Sequence, residues 1–371
     1  MSADLGERPR RIPIQIRRRG MAIMAAHTVE VIGGIDTHKD LHTAAVISID
    51  GTRLGVRTFA TTRQGYNQLL EWMCSFGRVR KVGVEGSGSY GAGITRRLGR
   101  AGIAVLEVRP PEGSARRGRG KDDAIDALEA ARAVIAGHRV SVARTRSGAI
   151  EALRVLRTTR ATAVKSRRAA LQQIHNTIIE APEELRDQTR RMTRMQLVRT
   201  LAAWRPDRAR GADPEIATRI ALRSLARRVI ELTDEIAELD ELITPLVREL
   251  APALIEAVGI GTEIAGQLLV TAGDNPERLT SEAGFAMLCG VAPIPASSGK
   301  TTRHRLNRGG DRDANRALHM AAVSRMRLDS RTKSYVARRL AEGRSKREII
   351  RCLKRYIARE VYGLLSHPGP A

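Results

Sequence analysis

The chain has 371 residues, with 64 Lys and Arg against 40 Asp and Glu, for a net charge of +24. That excess points to a polyanionic partner, most simply a nucleic acid. Aromatic residues are only 3% of the chain, which argues for phosphate contacts over base stacking as the main binding mode.

The 42% apolar content supports a real core, built from Ala, Val, Leu and Ile, and the length suits two or three domains. Cys74, Cys289 and Cys352 are far apart and form neither a CxxC pair nor a zinc pattern, so a reduced, cytoplasmic chain is expected. No apolar run approaches the ~20 residues of a membrane span. Residues 1–28 form a basic tail holding Arg8, Arg10, Arg11, Arg17, Arg18 and Arg19. It reads as a disordered arm, or as an upstream extension if Met21 or Met24 is the true start.

A β-branched run, Val29 to Ile35, leads to Asp36. His42 to Ile49 and Arg53 to Phe59 read as two more strands, joined at Asp50-Gly51, a hairpin signal. Gln64 to Phe76 has helical spacing. A strand from Lys81 ends on Glu85, a glycine-rich turn follows, and a helix runs over Gly91 to Arg100. After a strand at Ile103 to Val108 and a Pro/Gly/Arg loop at 110–120, a helix runs from about Asp122 to Ala136.

Three strands, helix, strand, helix, strand, loop, helix is the order of a RuvC/ribonuclease-H-like α/β domain, here 29–145. It sets Asp36 and Glu85 at strand ends. Asp123 and Asp126, three apart, project from one helix face. Four such carboxylates repel unless divalent cations neutralise them, and hard oxygen ligands suit Mg²⁺ or Mn²⁺. The blander reading makes Asp122 and Asp123 helix caps. A rival reading takes Gly86, Gly88 and Gly91 as a GxGxxG dinucleotide fingerprint with Glu107 on the ribose of NAD. The hairpin opening and the charge argue against it.

Residues 146–250 read as a helical region. Leu222, Leu225, Val229, Leu232, Ile236, Leu239, Ile243, Leu246 and Leu250 follow a coiled-coil spacing, with Pro245 expected to kink or end the helix. The seam fits either a dimerisation arm or an intramolecular helical hairpin. Residues 181–214, with Pro182, Pro206 and Pro214, read as the irregular connection. The last region, 251–371, is mostly helical. Its stretch 257–269 resembles a helix-hairpin-helix, with Gly259 and Gly261 offering backbone N–H groups to a phosphate. In 290–310, Ser297, Ser298 and Gly299 form a small loop. Lys300, Arg303, His304, Arg305 and Arg308 follow, cations able to stabilise a phosphate under attack.

GIDTHKD, VGVEGSGSYG, GKDDAIDA, EAVGIGTEIAGQLL, FAMLCGVAPIPASSGKTTR and NRGGDRDANRAL occur in this order. Together they resemble the IS110 family of insertion-sequence transposases, DEDD enzymes related to Piv-type DNA invertases, over about residues 30–365. The resemblance implies a RuvC-like set at Asp36, Glu85, Asp123 and Asp126, and a nucleophilic serine at Ser298, with Ser297 adjacent. It also implies a multimer that joins donor and target DNA under a non-coding bridge RNA. A RuvC-like junction nuclease using water, and a non-catalytic nucleic-acid scaffold, are the alternatives.

Overall fold

The computed structural model describes residues 29–109, 122–275, 279–297 and 304–366. The basic tail and the loop expected at 110–120 lie outside the described residues. The first half is a mixed α/β domain. Its elements are β1 (Glu30–Thr37), β2 (Leu41–Ser48), β3 (Arg53–Ala60), α1 (Arg63–Cys74), β4 (Arg78–Glu85), α2 (Ala92–Arg100), β5 (Ala104–Val108), α3 (Asp123–Ala136) and β6 (Val140–Val142). The sheet order is β3-β2-β1-β4-β5-β6. The first three strands are antiparallel, β4 and β5 run parallel to β1, and β6 returns antiparallel on β5. A dinucleotide-binding unit opens instead with a parallel βαβ, so the sheet runs against that reading.

Side chains alternate across the strands. Val31 and Ile35 of β1 join Leu69, Met73, Ile94 and Leu98 under α1 and α2. Ile32 faces the other way, into a core with Ala127, Leu128, Ala131 and Val134 of α3. Helix α3 seats closely because two strand positions lack side chains. A Cβ on Gly34 would stand 2.1 Å from the Ala127 carbonyl oxygen, and one on Gly83 would stand 2.6 Å from that of Ala130. The facing helix positions are alanines, so backbone meets backbone.

The second half is mostly helical. Two long helices, α4 (Gly148–Ile179) and α7 (Pro214–Leu250), pack along each other. Leu222, Val229, Ile236 and Ile243 of the seam are buried within the chain, so the intramolecular hairpin accounts for this line of the pattern. Pro245 does not end α7, which continues to Leu250. The proline lies on the exposed side, close to the helix end. The stretch 181–214 is not irregular, because it contains α5 (Glu183–Thr189) and α6 (Arg194–Ala203). Two of its prolines mark helix starts: Pro182 is the N-cap of α5 and Pro214 opens α7. Thr193 and Gln196 form a capping box on α6.

The remaining elements are α8 (Pro252–Glu256), α9 (Thr262–Ala272), α10 (Glu282–Leu288), β7 (Ile294–Pro295), β8 (His304–Arg305), α11 (Arg312–Leu328), α12 (Ser330–Ala341) and α13 (Lys346–Ser366). Their core joins Leu268, Phe285, Leu318 and Ile357 to Leu153 of α4 and Val247 of α7. The base of the long hairpin is thus built into the last helical region. No helix among the described residues is long and apolar enough to cross a membrane.

The thiols report this packing. Cys74 is exposed, whereas Cys289 is buried and burial pushes its thiol up to about 12. A thiol reagent is expected to modify Cys74 in the native protein and Cys289 only after denaturation, as read by peptide mass spectrometry. Fast native modification of Cys289 would contradict this core.

Candidate metal centre

The site forms where the C-terminal ends of β1 and β4 meet the first turn of α3. Ile35 pairs with Val84 in the parallel register. The next residues, Asp36 and Glu85, therefore share the sheet face that α3 covers. Thr37 ties the two strand ends by donating its hydroxyl to the Glu85 carbonyl at 2.7 Å.

Helix α3 begins with two aspartates of different use. Asp122 is the N-cap, and its side chain accepts the Ala124 N–H at 2.9 Å. Asp123 is the first helical residue, and its carboxylate reaches the site. The cap reading therefore holds for Asp122.

His38, which the sequence reading passed over as a site residue, joins them. Its Nε2 lies 3.1 Å from Asp36 Oδ2 and 3.2 Å from Asp123 Oδ1. Ligand atoms of Asp36, His38 and Asp123 all fall within 4.8 Å of one another. The signal for His38 was its spacing, two residues beyond Asp36 and just past the strand. The tight turn in which its N–H donates to the Leu41 carbonyl then holds it there.

Asp36 is 7% exposed. Burial holds its carboxyl above the ordinary range; His38 offsets this in part, while Asp123 and Asp126 add to it. Asp126 is therefore close enough to act on Asp36 through its charge. Glu85 stands on the adjacent strand end, outside the 4.8 Å set.

A divalent cation fits these residues. Asp36 Oδ2 and His38 Nε2 are buried and, although 3.1 Å apart, are not aligned for a hydrogen bond to each other or to any other described residue. Clustered carboxylates with one imidazole form a donor set for a hard or borderline ion. Asp36, His38 and Asp123 are the side chains placed to hold it.

The glycine-rich turn after Glu85 has its own structural uses. Gly86 has φ +70°, and the Arg146 guanidinium lies where a side chain on Gly88 would go. Arg146 precedes α4, so the turn touches the segment leading into the helical half. That segment is pinned to the end of α9. Arg144 donates to the carbonyls of Val270 and Thr271 at 3.0 and 2.9 Å, and Asn275 donates to the Ala143 carbonyl at 2.9 Å.

The other expected residues lie apart from this cluster in the chain. Ser297 is exposed on the strand-to-strand connection of the β7–β8 hairpin. Ser298, Lys300 and Arg303 lie outside the described residues. Arg305 is in β8 and Arg308 follows it, both exposed. The hairpin base is fixed by Asn315, which donates to the Cys289 and Gly290 carbonyls and accepts from Lys354. Gly259 is pressed against α11, 3.1 Å from the Ala321 carbonyl by its missing Cβ, whereas Gly261 caps α9 in open space.

Fold and site define a strongly basic protein with a mixed α/β domain, a candidate acidic metal centre and a mostly helical second half. Residues 33–181 match the IS110-type DEDD family described as "Transposase". Residues 251–337 match the one described as "Transposase IS116/IS110/IS902 family". The chain belongs to the IS110 family of transposases. It is similar to the insertion element IS110 uncharacterized 43.6 kDa protein of Streptomyces coelicolor, 30% identical over 39% of this chain and 36% of that protein. It is also similar to the insertion element IS900 uncharacterized 42 kDa protein of Mycobacterium paratuberculosis, 26% identical over 38% of this chain and 36% of that protein. The matches thus span little over a third of either relative.

The two aspartates make a direct contrast. Asp123→Asn is expected to weaken Mn²⁺ binding by roughly tenfold or more, measured by calorimetry. Asp122→Asn, which keeps a good N-cap, should bind Mn²⁺ like the parent. Asp122→Ala should lower stability by about 1 kcal/mol without loss of the ion. Equal loss of binding in Asp122→Asn and Asp123→Asn would contradict this assignment.

Proposed function

We propose that the protein is a DNA recombinase that cuts and rejoins strands as an insertion sequence moves. The observation that carries this reading is the grouping of Asp36, His38 and Asp123, with Asp126 beside them, in a basic chain of a transposase family. The antiparallel β1–β3 sheet, parallel β4 and β5, and a helix crossing β1 and β4 support a ribonuclease-H-like, RuvC-type domain. Asp36, Glu85, Asp123 and Asp126 are the catalytic carboxylates of this reading, and His38 is a further ligand. Mg²⁺ or Mn²⁺ held there would neutralise charge at a scissile phosphate.

Ser298, next to Ser297 in the chain, is the nucleophile of this reading. Its Oγ forms a bond to phosphorus as the bond to the 3′ oxygen breaks, and the proton passes to the released 3′-hydroxyl. In the second step a 3′-hydroxyl from the partner strand attacks the phosphoserine and restores the serine. The phosphoester bond is conserved, so no nucleotide hydrolysis is needed. Lys300, Arg303, Arg305 and Arg308 hold the phosphate and stabilise its added charge. Gly259 and Gly261 were expected at a phosphate contact. The open N-terminus of α9 at Gly261 suits that role, whereas the packing of Gly259 suits a structural one.

Donor and target DNA are the substrates of this reading. A bridge RNA as guide and a homo-oligomer that pairs two serine hairpins follow from the family resemblance. The second reading, a junction nuclease, uses the same carboxylates with water and leaves the serine idle.

A covalent trap separates the two. Protein, candidate guide RNA, junction DNA and Mg²⁺ are mixed, denatured and digested for mass spectrometry. A nucleotide adduct on Ser298 is expected, absent in Ser298→Ala and lowered by at least about 100-fold in Asp123→Ala. Cleaved DNA without an adduct, unchanged in Ser298→Ala, would establish the nuclease reading instead.

A further inference from the structure

The sheet face opposite the carboxylates carries a second basic feature. Helices α1 and α2 lie side by side there, over the core formed by Ile35, Leu69, Val84 and Leu98. Between them runs a cleft of about 680 Å³ lined by Arg63, Tyr66, Asn67, Arg96, Arg97 and Arg100. Among the described residues no carboxylate lines it.

The four arginines differ in how they are held. Arg97 is half-buried and fixed by its Nε, which donates to Asn67 Oδ1 at 2.7 Å. Arg63, Arg96 and Arg100 are exposed, and none of them pairs with a carboxylate among the described residues. Arg96 and Arg100 are four apart on α2, a like-charge spacing that costs a helix a few tenths of a kcal/mol. Arg97 and Arg100 suit the negative end of α2. Arg63 has no such reason, because it opens α1 at the positive end of its dipole, with no acidic residue in the first turn. Local helix energetics thus favour fewer cations here than the chain places.

An anion in the cleft would relieve both repulsions. Arginine forks match phosphate oxygens in bidentate fashion. Tyr66 is half-buried and stacks on His42 at 5.6 Å between centroids, so its ring is committed to packing. The cleft thus offers cations on a fixed floor, without a free aromatic plane for reading bases.

We propose that the α1–α2 cleft is a phosphodiester-binding site that grips a nucleic-acid strand by its backbone, on the side of the sheet away from the carboxylates. The inference rests on the recombinase reading only for the kind of anion. It places one bound strand behind the domain while another is processed in front.

The test uses the full chain with Asp123→Ala, so that bound DNA is not consumed. Binding of a short single-stranded RNA and of a short DNA duplex is measured against salt, with and without Arg63→Ala, Arg96→Ala and Arg100→Ala together. Each lost phosphate contact lowers the log–log salt slope by about 0.7 for a single strand and about 0.9 for a duplex. A fall of about two or more is expected for the nucleic acid that occupies the cleft. A fall with RNA alone assigns the cleft to RNA, a fall with the duplex alone assigns it to DNA, and a fall with both marks a general backbone site. Unchanged slopes for both overturn the proposal. A second measurement needs no variant. An arginine-specific dicarbonyl should modify Arg63, Arg96 and Arg100 more slowly when the nucleic acid is bound, and equal modification overturns the proposal. Neither readout depends on a Ser298 adduct, so loss of the recombinase reading and loss of this one are separately visible.

Discussion

The backbone contact between α3 and the sheet governs the site. Gly34 and Gly83 remove the side chains that would hold the helix away, and Ala127, Ala130 and Ala131 remove those on the helix. A methyl group at Gly34 would meet main-chain atoms, which cannot swing aside, at a cost of about 1–3 kcal/mol. With α3 this close, Asp123 comes within reach of His38 and through it of Asp36. The aromatic-poor, alanine-rich composition is therefore a condition of the site as well as a description of the core.

The same arrangement concentrates unfavourable charge. Asp36 is buried among other carboxylates and its Oδ2 has no hydrogen-bond partner among the described residues. Burying a charge is expensive unless it is fully paired, and the one imidazole of His38, 3.1 Å away, offsets this only in part. A divalent cation bound there would supply what these side chains do not supply to one another. The glycine-rich turn beside them is not isolated from the rest of the molecule. Arg146 lies on Gly88, and the segment around it is bound to the end of α9. Thr271 of α9 in turn donates to Asp311, the N-cap of α11, just beyond the β7–β8 hairpin. This is a continuous path of packed groups between the two halves of the proposed machinery.

Much of this was legible in the sequence because it depends on local pattern. Alternating β-branched runs placed Asp36 and Glu85 at strand ends, and the i,i+3 spacing placed Asp123 and Asp126 on one helix face. His38 was not legible as a candidate ligand, since a histidine in a polar turn meets the carboxylates only when α3 folds over it. That Asp122 caps α3 while Asp123 faces the cluster is visible only once the helix start is known. Prolines misled twice. Pro182 and Pro214 begin helices, and Pro245 sits on the exposed side of α7, where the lost hydrogen bond is tolerated near the helix end. The spacing in α7 does mark a buried line of side chains, but periodicity alone says neither that the packing is a coiled coil nor whether the covering helix belongs to the same chain. Here α4 covers the innermost line of it.

The most direct test of the metal centre is anomalous scattering from crystals grown with Mn²⁺. The account predicts a peak within coordination distance of Asp36 and Asp123, with His38 or Asp126 beside it, and its loss in Asp123→Asn. Mn²⁺ bound only elsewhere on the protein, or a peak at this position that persists in Asp123→Asn, would contradict it.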